Sequence, residues 1–564
     1  MKTNYLFCAI IAIVALTGCS NEDENEKIPS ETFSDLLFEK YIIQNFDSDN
    51  DGLISITESK AVKEINCSNM RITSLKGIQY FTALEKLDCS NNDLKDFDIT
   101  KNSSLKELFC DACDFGETID LSKNTLLERL HCSENFNLKT IDLSHNANLL
   151  ELYCNNNYSM TSLDLSNNKN LQILSCGENP NLESLNVEEL TNLKEFYSYN
   201  KNHVGLIITG LVGHRLLEKL ELNGVKAQAI NIKGSPLKVF DCRIDDLYYL
   251  DLSGCTHLES LILKGSTLNN NPILSGSSSS SPASSFCSTL DHNPILLDNC
   301  SSLKHIEIEE YWLEALDVSS CVSLKTLQCF TDVDITNNTE LEEIGVINII
   351  NDVKSNKKLK KLSCYTIKNV DIFDFSNQTL LEELALRQID VDVPLEISKC
   401  KALKNLIVHY FMDEAKINTF TITDMPDLEQ LYYQHNVSLS IEDCPKLNKV
   451  TVGRLTDFNM SNCVMMDFLQ CDNGFLKEIN IDQCPNITVL DCSNNPISNL
   501  SLGALTKLAS LYCANCSLTE LDLRKNKIID LLQCQGNPDL IYVYATHTIP
   551  NLNHGSATMV YSDD

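Results

Sequence analysis

Positive charge is scarce in this chain of 564 residues: 45 Lys and Arg stand against 78 Asp and Glu, a formal net charge of -33. Nucleic acids and anionic membrane surfaces need the opposite balance, because neutralising phosphates supplies much of their affinity. Long apolar runs are missing after the N-terminal stretch, so no later segment is a candidate membrane span. Catalytic signatures are missing too. There is no Gly-x-Ser-x-Gly elbow, no glycine-rich phosphate cradle and no His-Glu-x-x-His pair, and the 11 histidines are scattered. The chain reads as a non-enzyme.

What the chain has is one phrase said many times. Leu84, Leu87 and Cys89 set the pattern Leu-x-x-Leu-x-Cys, which returns at Leu105/Leu108/Cys110, Leu127/Leu130/Cys132, Leu149/Leu152/Cys154 and Leu171/Leu174/Cys176. The cysteines are 21, 22, 22 and 22 residues apart. Asn92, Asn135, Asn157 and Asn179 follow three residues after a cysteine, and a second phrase such as Leu163-Asp164-Leu165-Ser166 precedes the next unit. No single unit can bury its own apolar face, so the core has to come from stacking. Alternation in both phrases predicts two short strands per coil. The fold class expected is a β-rich repeat solenoid, and the pattern resembles bacterial leucine-rich repeats of about 21–22 residues with two short parallel strands per coil.

The slot after Leu-x-x-Leu can be followed from Cys67 to Cys534, about 22 coils, with irregular spacings between Val346 and Val452. One gap, Leu263 to Ile308, is 45 residues long and contains the serine run 277–281. Ile295, Leu297 and Cys300 match the second phrase, so the excess (about 269–294) is expected to loop out within one coil. A degenerate extra coil with Cys287 in its slot is the alternative.

Twenty-five cysteines would suit a disulfide framework, but their positions do not. Most fill the slot, seven precede the next Leu by three residues, and Cys113 and Cys516 stand where other coils have the turn asparagine. Cysteine behaves there as a small apolar residue, and mostly reduced, buried thiols are expected. The pairs Cys110/Cys113 and Cys513/Cys516 have zinc-site or redox spacing, yet the coil itself forces that spacing.

At the N-terminus, Lys2 and an apolar run from Tyr5 to Leu16 lead into Leu16-Thr17-Gly18-Cys19. The run is too short to span a bilayer, so residues 1–18 read as a signal peptide. Leu-Thr-Gly-Cys resembles a lipobox, which implies lipidation of Cys19; an ordinary signal peptide with a chance cysteine is the alternative. Residues 19–30 form a polar tether. Its Glu22, Asp23, Glu24 and Glu26 resemble the acidic export signal of some outer-surface lipoproteins, against a plain solvated spacer facing the periplasm.

Asp47-Ser48-Asp49-Asn50-Asp51-Gly52, with Glu58 after five further residues, fits the EF-hand calcium loop. The spacing offers carboxylates from Asp47, Asp49 and Asp51, the Leu53 carbonyl, Ser55 or its water, and bidentate Glu58 to a hard cation. Phe33, Leu36, Leu37, Ile43 and Phe46 are spaced for a leading helix, with Thr32 and Asp35 as its capping box. Only one such loop is present, so Ile54, which in a pair would bridge to the second loop, needs another partner. A calcium-stiffened cap over residues 31–62 is expected, against an acidic turn that holds no metal.

The solenoid then spans 62–539 and a C-terminal cap 540–564, with strands at Leu540–Val543 and Thr558–Tyr561. One outward position per first strand reads Asp88, Phe109, His131, Tyr153, Ser175, Tyr197 and Glu221. The aromatic members, Phe109, His131, Tyr153 and Tyr197, suit contact with a protein or stacking on sugar rings, although aromatics also favour strands for their own sake. The arrangement resembles bacterial leucine-rich-repeat surface lipoproteins with an N-terminal EF-hand-like loop. That resemblance implies a calcium-binding, lipid-anchored outer-membrane protein on the cell surface, expected as a monomer, that binds a protein partner. A carbohydrate-binding accessory of a glycan uptake system and a passive envelope spacer are the alternatives.

Overall fold

The structure, a computed structural model, describes residues 26–95, 97–200, 205–245, 247–265, 295–309, 313, 315–368, 372–389, 395–410, 419–434 and 438–562. The expected signal peptide, Cys19, most of the acidic tether, Cys287 and the insertion at about 269–294 lie outside the described residues. Two compact units are present, one ending at Leu190 and the other starting at Thr191. Each is built of parallel β-coils. Among the described residues no helix is long and apolar enough to cross a membrane.

In the first unit, three-residue strands pair in strict parallel register, so that Ile65, Leu87, Leu108, Leu130 and Leu152 stand side by side with Leu174. All six are fully buried. Truncating such a leucine typically costs about 2–5 kcal/mol through lost transfer energy and the cavity left behind. The second phrase forms a shorter ladder of its own, Ile119, Ile141 and Leu163.

Side chains tie the coils where the backbone turns. The Asn92 amide donates to the carbonyls of Cys89 (2.7 Å) and Cys67 (3.0 Å), and the backbone N–H of Asn135 donates to Asn157 Oδ1 at 2.9 Å. Cys113 replaces the asparagine in its coil: its N–H is met by Asn135 Oδ1 at 2.9 Å, and its thiol donates to the Cys89 carbonyl at 3.1 Å. All 22 described cysteines are buried, and none is joined in a disulfide.

A helix–loop–helix precedes the first coil. Helix α1 (Leu36–Phe46) buries Phe38 and Ile42, one turn apart, and α2 (Ile56–Ala61) starts at Ser55 with a capping box to Glu58. The capping box expected at Thr32 and Asp35 is not the one formed. Thr32 ends a short 3-10 turn, and Asp35 is itself the N-cap of α1, accepting from the N–H groups of Leu37 (2.8 Å) and Phe38 (3.1 Å). Its other oxygen accepts from the Thr73 N–H (2.7 Å) and hydroxyl (2.8 Å), tying the helix start to the first coil. Asn66 N–H donates to the Tyr41 hydroxyl at 3.1 Å, and Phe46 meets Phe81 edge-on at 6.3 Å.

The second unit keeps the parallel register through the irregular spacings. Ile344 pairs with Leu362, then Leu384, Leu406, Leu431 and Val450 in turn. Its strands are longer in places: Lys219–Lys226 has eight residues and Glu383–Ile389 seven. Across the insertion, Leu261 pairs directly with Ile306, and Leu250 with Ile295. At the C-terminal end, Tyr542–Ala545 and Thr558–Tyr561 pair in the second ladder and Asn551–Asn553 in the first.

Candidate functional site

Two places gather the residues singled out in the sequence. In the loop between α1 and α2, carboxylate oxygens of Asp47, Asp49 and Glu58 lie within 4.8 Å of one another. Gly52, at φ 85°, turns the chain so that its N–H donates to Asp47 Oδ2 at 2.8 Å. Asp47 Oδ1 is buried with no hydrogen-bond partner among the described residues. Asp51 Oδ1 accepts from Leu53 N–H at 3.0 Å. Ser55 and Glu58 are joined in the capping box, and Glu58 Oε1 also takes the N–H and hydroxyl of Ser48, each at 2.7 Å. Burial raises the Glu58 pKa, but the hydrogen bonds from Ser55 and Ser48 outweigh it and bring the carboxyl down to about 2. It is therefore ionised throughout the neutral range. A converging set of carboxylate oxygens, one of them buried without a hydrogen bond, fits a hard oxygen-seeking cation.

Sequence reading did not anticipate Lys27, whose ammonium sits 3.0 Å from Asp49 Oδ2 and 2.7 Å from Asp51 Oδ2. Hydrogen bonds to Asp51 and then Asp49 raise its pKa well above the ordinary lysine value. Nothing in the loop's spacing points to a residue twenty positions before it.

On the strand face of the first unit, Phe109, His131 and Tyr153 occupy consecutive rungs. Phe109 meets His131 edge-on at 4.6 Å, and His131 tilts against Tyr153 at 4.3 Å. All three are half-buried. Burial lowers the His131 pKa, with Asp111 and Glu151 opposing it, which favours the neutral ring. Arg129 flanks the row and bridges Glu107 (2.8 Å) and Glu151 (3.1 Å) on the rungs either side. Tyr197 belongs to the second unit, where its hydroxyl donates to Glu195 Oε2 at 2.6 Å; burial and that carboxylate push its pKa up to about 12.

A second aromatic pair was missed. Phe136 and Tyr158 stack at 5.1 Å with planes 10° apart and are 49% and 48% exposed. They follow Cys132 and Cys154 by four residues, so a search at the coil period beyond the strand would have found them. In the second unit, three small outward residues, Gly345, Ser363 and Ala385, leave a hollow bordered by Glu343, Lys361 and Arg387. Arg387 Nε donates to Ser363 Oγ at 3.2 Å.

These ladders, with their turn asparagines and buried cysteine slots, define a leucine-rich-repeat β-solenoid led by a helix–loop–helix. No protein-family model and no curated protein matches the chain. Among solved structures, the functional domain of InlJ from Listeria monocytogenes, described as including a cysteine ladder, is 24% identical over 60% of this chain and 76% of that one, with a TM-score of 0.38. YopM from Yersinia enterocolitica is 17% identical over 85% and 91%, at 0.37. The plant peptide hormone receptor RGFR1 in complex with RGF2 is 15% identical over 87% and 82%, at 0.45. Such likenesses carry nothing about partner or chemistry.

Proposed function

We propose that the chain is a non-catalytic, lipid-anchored protein of the outer cell surface whose solenoid binds a protein partner, with a calcium-holding loop that stiffens its N-terminal end. The observation that carries the binding reading is the aromatic row Phe109–His131–Tyr153, backed in two of the same coils by the exposed pair Phe136–Tyr158. Rigid aromatic side chains give large contact area at little entropic cost and dominate the energetics of protein interfaces. The lipobox resemblance at Cys19 supports anchoring, and the convergence of Asp47, Asp49 and Glu58 supports calcium.

The test uses cells displaying the full chain, untreated or first treated with protease, and offers them a candidate surface-protein panel and a glycan array. Under this reading the intact chain binds a protein, protease on unbroken cells removes both chain and binding, and Tyr153→Ala weakens binding by about 2 kcal/mol, the scale of an interface hot spot. Glycan binding that Tyr153→Ala abolishes would move the function to carbohydrate uptake. Binding equal in the variant, or a chain protected in unbroken cells, would remove the aromatic site or the surface location respectively.

A further inference from the structure

The calcium-type loop is paired with a short segment that lies outside its motif. Ile28 N–H donates to the Ile54 carbonyl at 2.7 Å, and Ile56 N–H donates to the Glu26 carbonyl at 2.9 Å, so residues 26–28 run antiparallel to the centre of the loop. Ile28 and Ile54 are both buried. This is the backbone edge through which Ile54 would meet a second loop, and here the chain's own N-terminal segment takes it. The pairing fixes where Lys27 can reach. Its ammonium closes on Asp49 Oδ2 and Asp51 Oδ2, side chains at the third and fifth positions of the loop.

We propose that Lys27 is a built-in counter-cation that calcium has to displace, with residues 26–28 standing in for the missing second hand. The proposal rests on the reading of this loop as a calcium site. Ionised carboxylates gathered this closely repel one another unless a cation stands among them, and Lys27 supplies that cation from a segment anchored by two backbone hydrogen bonds. Calcium takes its oxygens at about 2.3–2.6 Å. An ammonium within hydrogen-bond distance of the same carboxylates would then face a divalent ion a few ångströms away, so the two cations compete for them. The competition is reciprocal: Lys27 weakens calcium binding, and calcium loosens the hold on the segment that Lys27 belongs to. Asp47 Oδ1, buried and without a hydrogen-bond partner among the described residues, is the oxygen that Lys27 leaves unanswered and calcium would meet.

Calorimetric calcium titration of the full chain, wild type against Lys27→Gln and Lys27→Arg, tests this. Removing the competing charge is expected to tighten calcium binding about tenfold, as two exposed ion pairs worth a few-fold each disappear from the calcium-free state. Lys27→Arg keeps the charge and is expected to stay close to wild type. Unchanged or weaker binding by Lys27→Gln, in a protein that does bind calcium, overturns the role of Lys27 and leaves the calcium site standing. Failure of all three proteins to bind overturns the site and this proposal together.

Discussion

Asp35 and Glu58 are carboxylates that hold the N-terminal end together through hydrogen bonds rather than through burial. Asp35 caps α1 and reaches Thr73, and although burial opposes ionisation, the bonds from Thr73, Phe38 and Leu37 keep its pKa below the ordinary carboxylate value. Glu58 closes the capping box of α2 onto Ser55 and holds Ser48, with its pKa brought to about 2. Both pKa values are depressed on folding. The stability the two groups contribute is therefore complete above their unfolded pKa values, about 4, and is lost as the pH falls through the folded ones. Hydrogen exchange followed from pH 5 to pH 2 in a calcium chelator is expected to show the α1 and α2 amides losing protection before those of the Leu108–Leu152 rungs, and Asp35→Asn is expected to remove part of that pH dependence for α1. Equal loss along the whole first unit would mean that these caps do not set acid stability. The convergence of Glu58 on Asp47 and Asp49 was legible in the sequence because the EF-hand-like motif draws its groups from twelve consecutive residues. The partner of Asp35 was not, because Thr73 is 38 residues further on and meets it only once the first coil has formed.

A coil turns at two asparagine positions, and they are not chemically equal. The turn asparagines after the cysteine slot use both ends of the amide, as Asn135 does: its Nδ2 donates to Cys132 and Cys110 carbonyls at 3.0 and 2.9 Å, and its Oδ1 accepts from Cys113 at 2.9 Å. Those before the next Leu use one end. Asn146 Nδ2 donates to the carbonyls of Asn124 (2.9 Å) and Leu121 (3.3 Å), while its Oδ1 is buried without a hydrogen bond, as are those of Asn102, Asn124 and Asn168. In other coils this position holds cysteine, which has no oxygen to strand and whose thiol in two of them donates to the neighbouring coil: Cys300 to Leu252 at 3.2 Å, Cys400 to Phe375 at 3.3 Å. Leaving a buried acceptor unpaired costs about 1–3 kcal/mol, which offsets much of what the two amide donors contribute. Asn146→Cys is therefore expected to fall within about 1 kcal/mol of wild type in urea unfolding under reductant, and Asn146→Ala to cost about 2 kcal/mol more, having neither donor nor fill. Equal losses for the two would mean that the thiol does not replace the amide. The exchange of Asn and Cys at this position was readable from the repeat itself; the stranded oxygen that makes it physically reasonable was not, because it depends on which amide end faces the preceding coil.

Across the whole molecule, the repeat phrase runs past Leu190 without a break, since the slot residues Cys176 and Ser198 are 22 apart, so nothing in it marks the boundary between the two compact units. The charge was legible, and its consequence for stability follows from how it is distributed. Many basic residues are already spent on a carboxylate of a neighbouring coil: Lys106 on Glu85 at 2.8 Å, Lys139 on Glu117 at 2.6 Å, Lys404 on Glu382 at 2.6 Å. These pairs are solvent-exposed, and exposed pairs contribute little each. Over the whole sequence acidic residues still outnumber basic ones by 33. Salt acts unequally on the two populations. Contacts near 3 Å are shorter than any Debye length in use, whereas repulsion among unpaired carboxylates works over tens of ångströms at about 10 mM salt and over about 8 Å at 150 mM. Screening therefore removes more repulsion than attraction, and folding, which concentrates the surplus, gains from it. In a calcium chelator, raising NaCl from about 10 to about 150 mM is expected to raise the melting temperature of the full chain. A fall over the same range would show that the ladders of cross-coil ion pairs, weak as each one is, together outweigh the net charge.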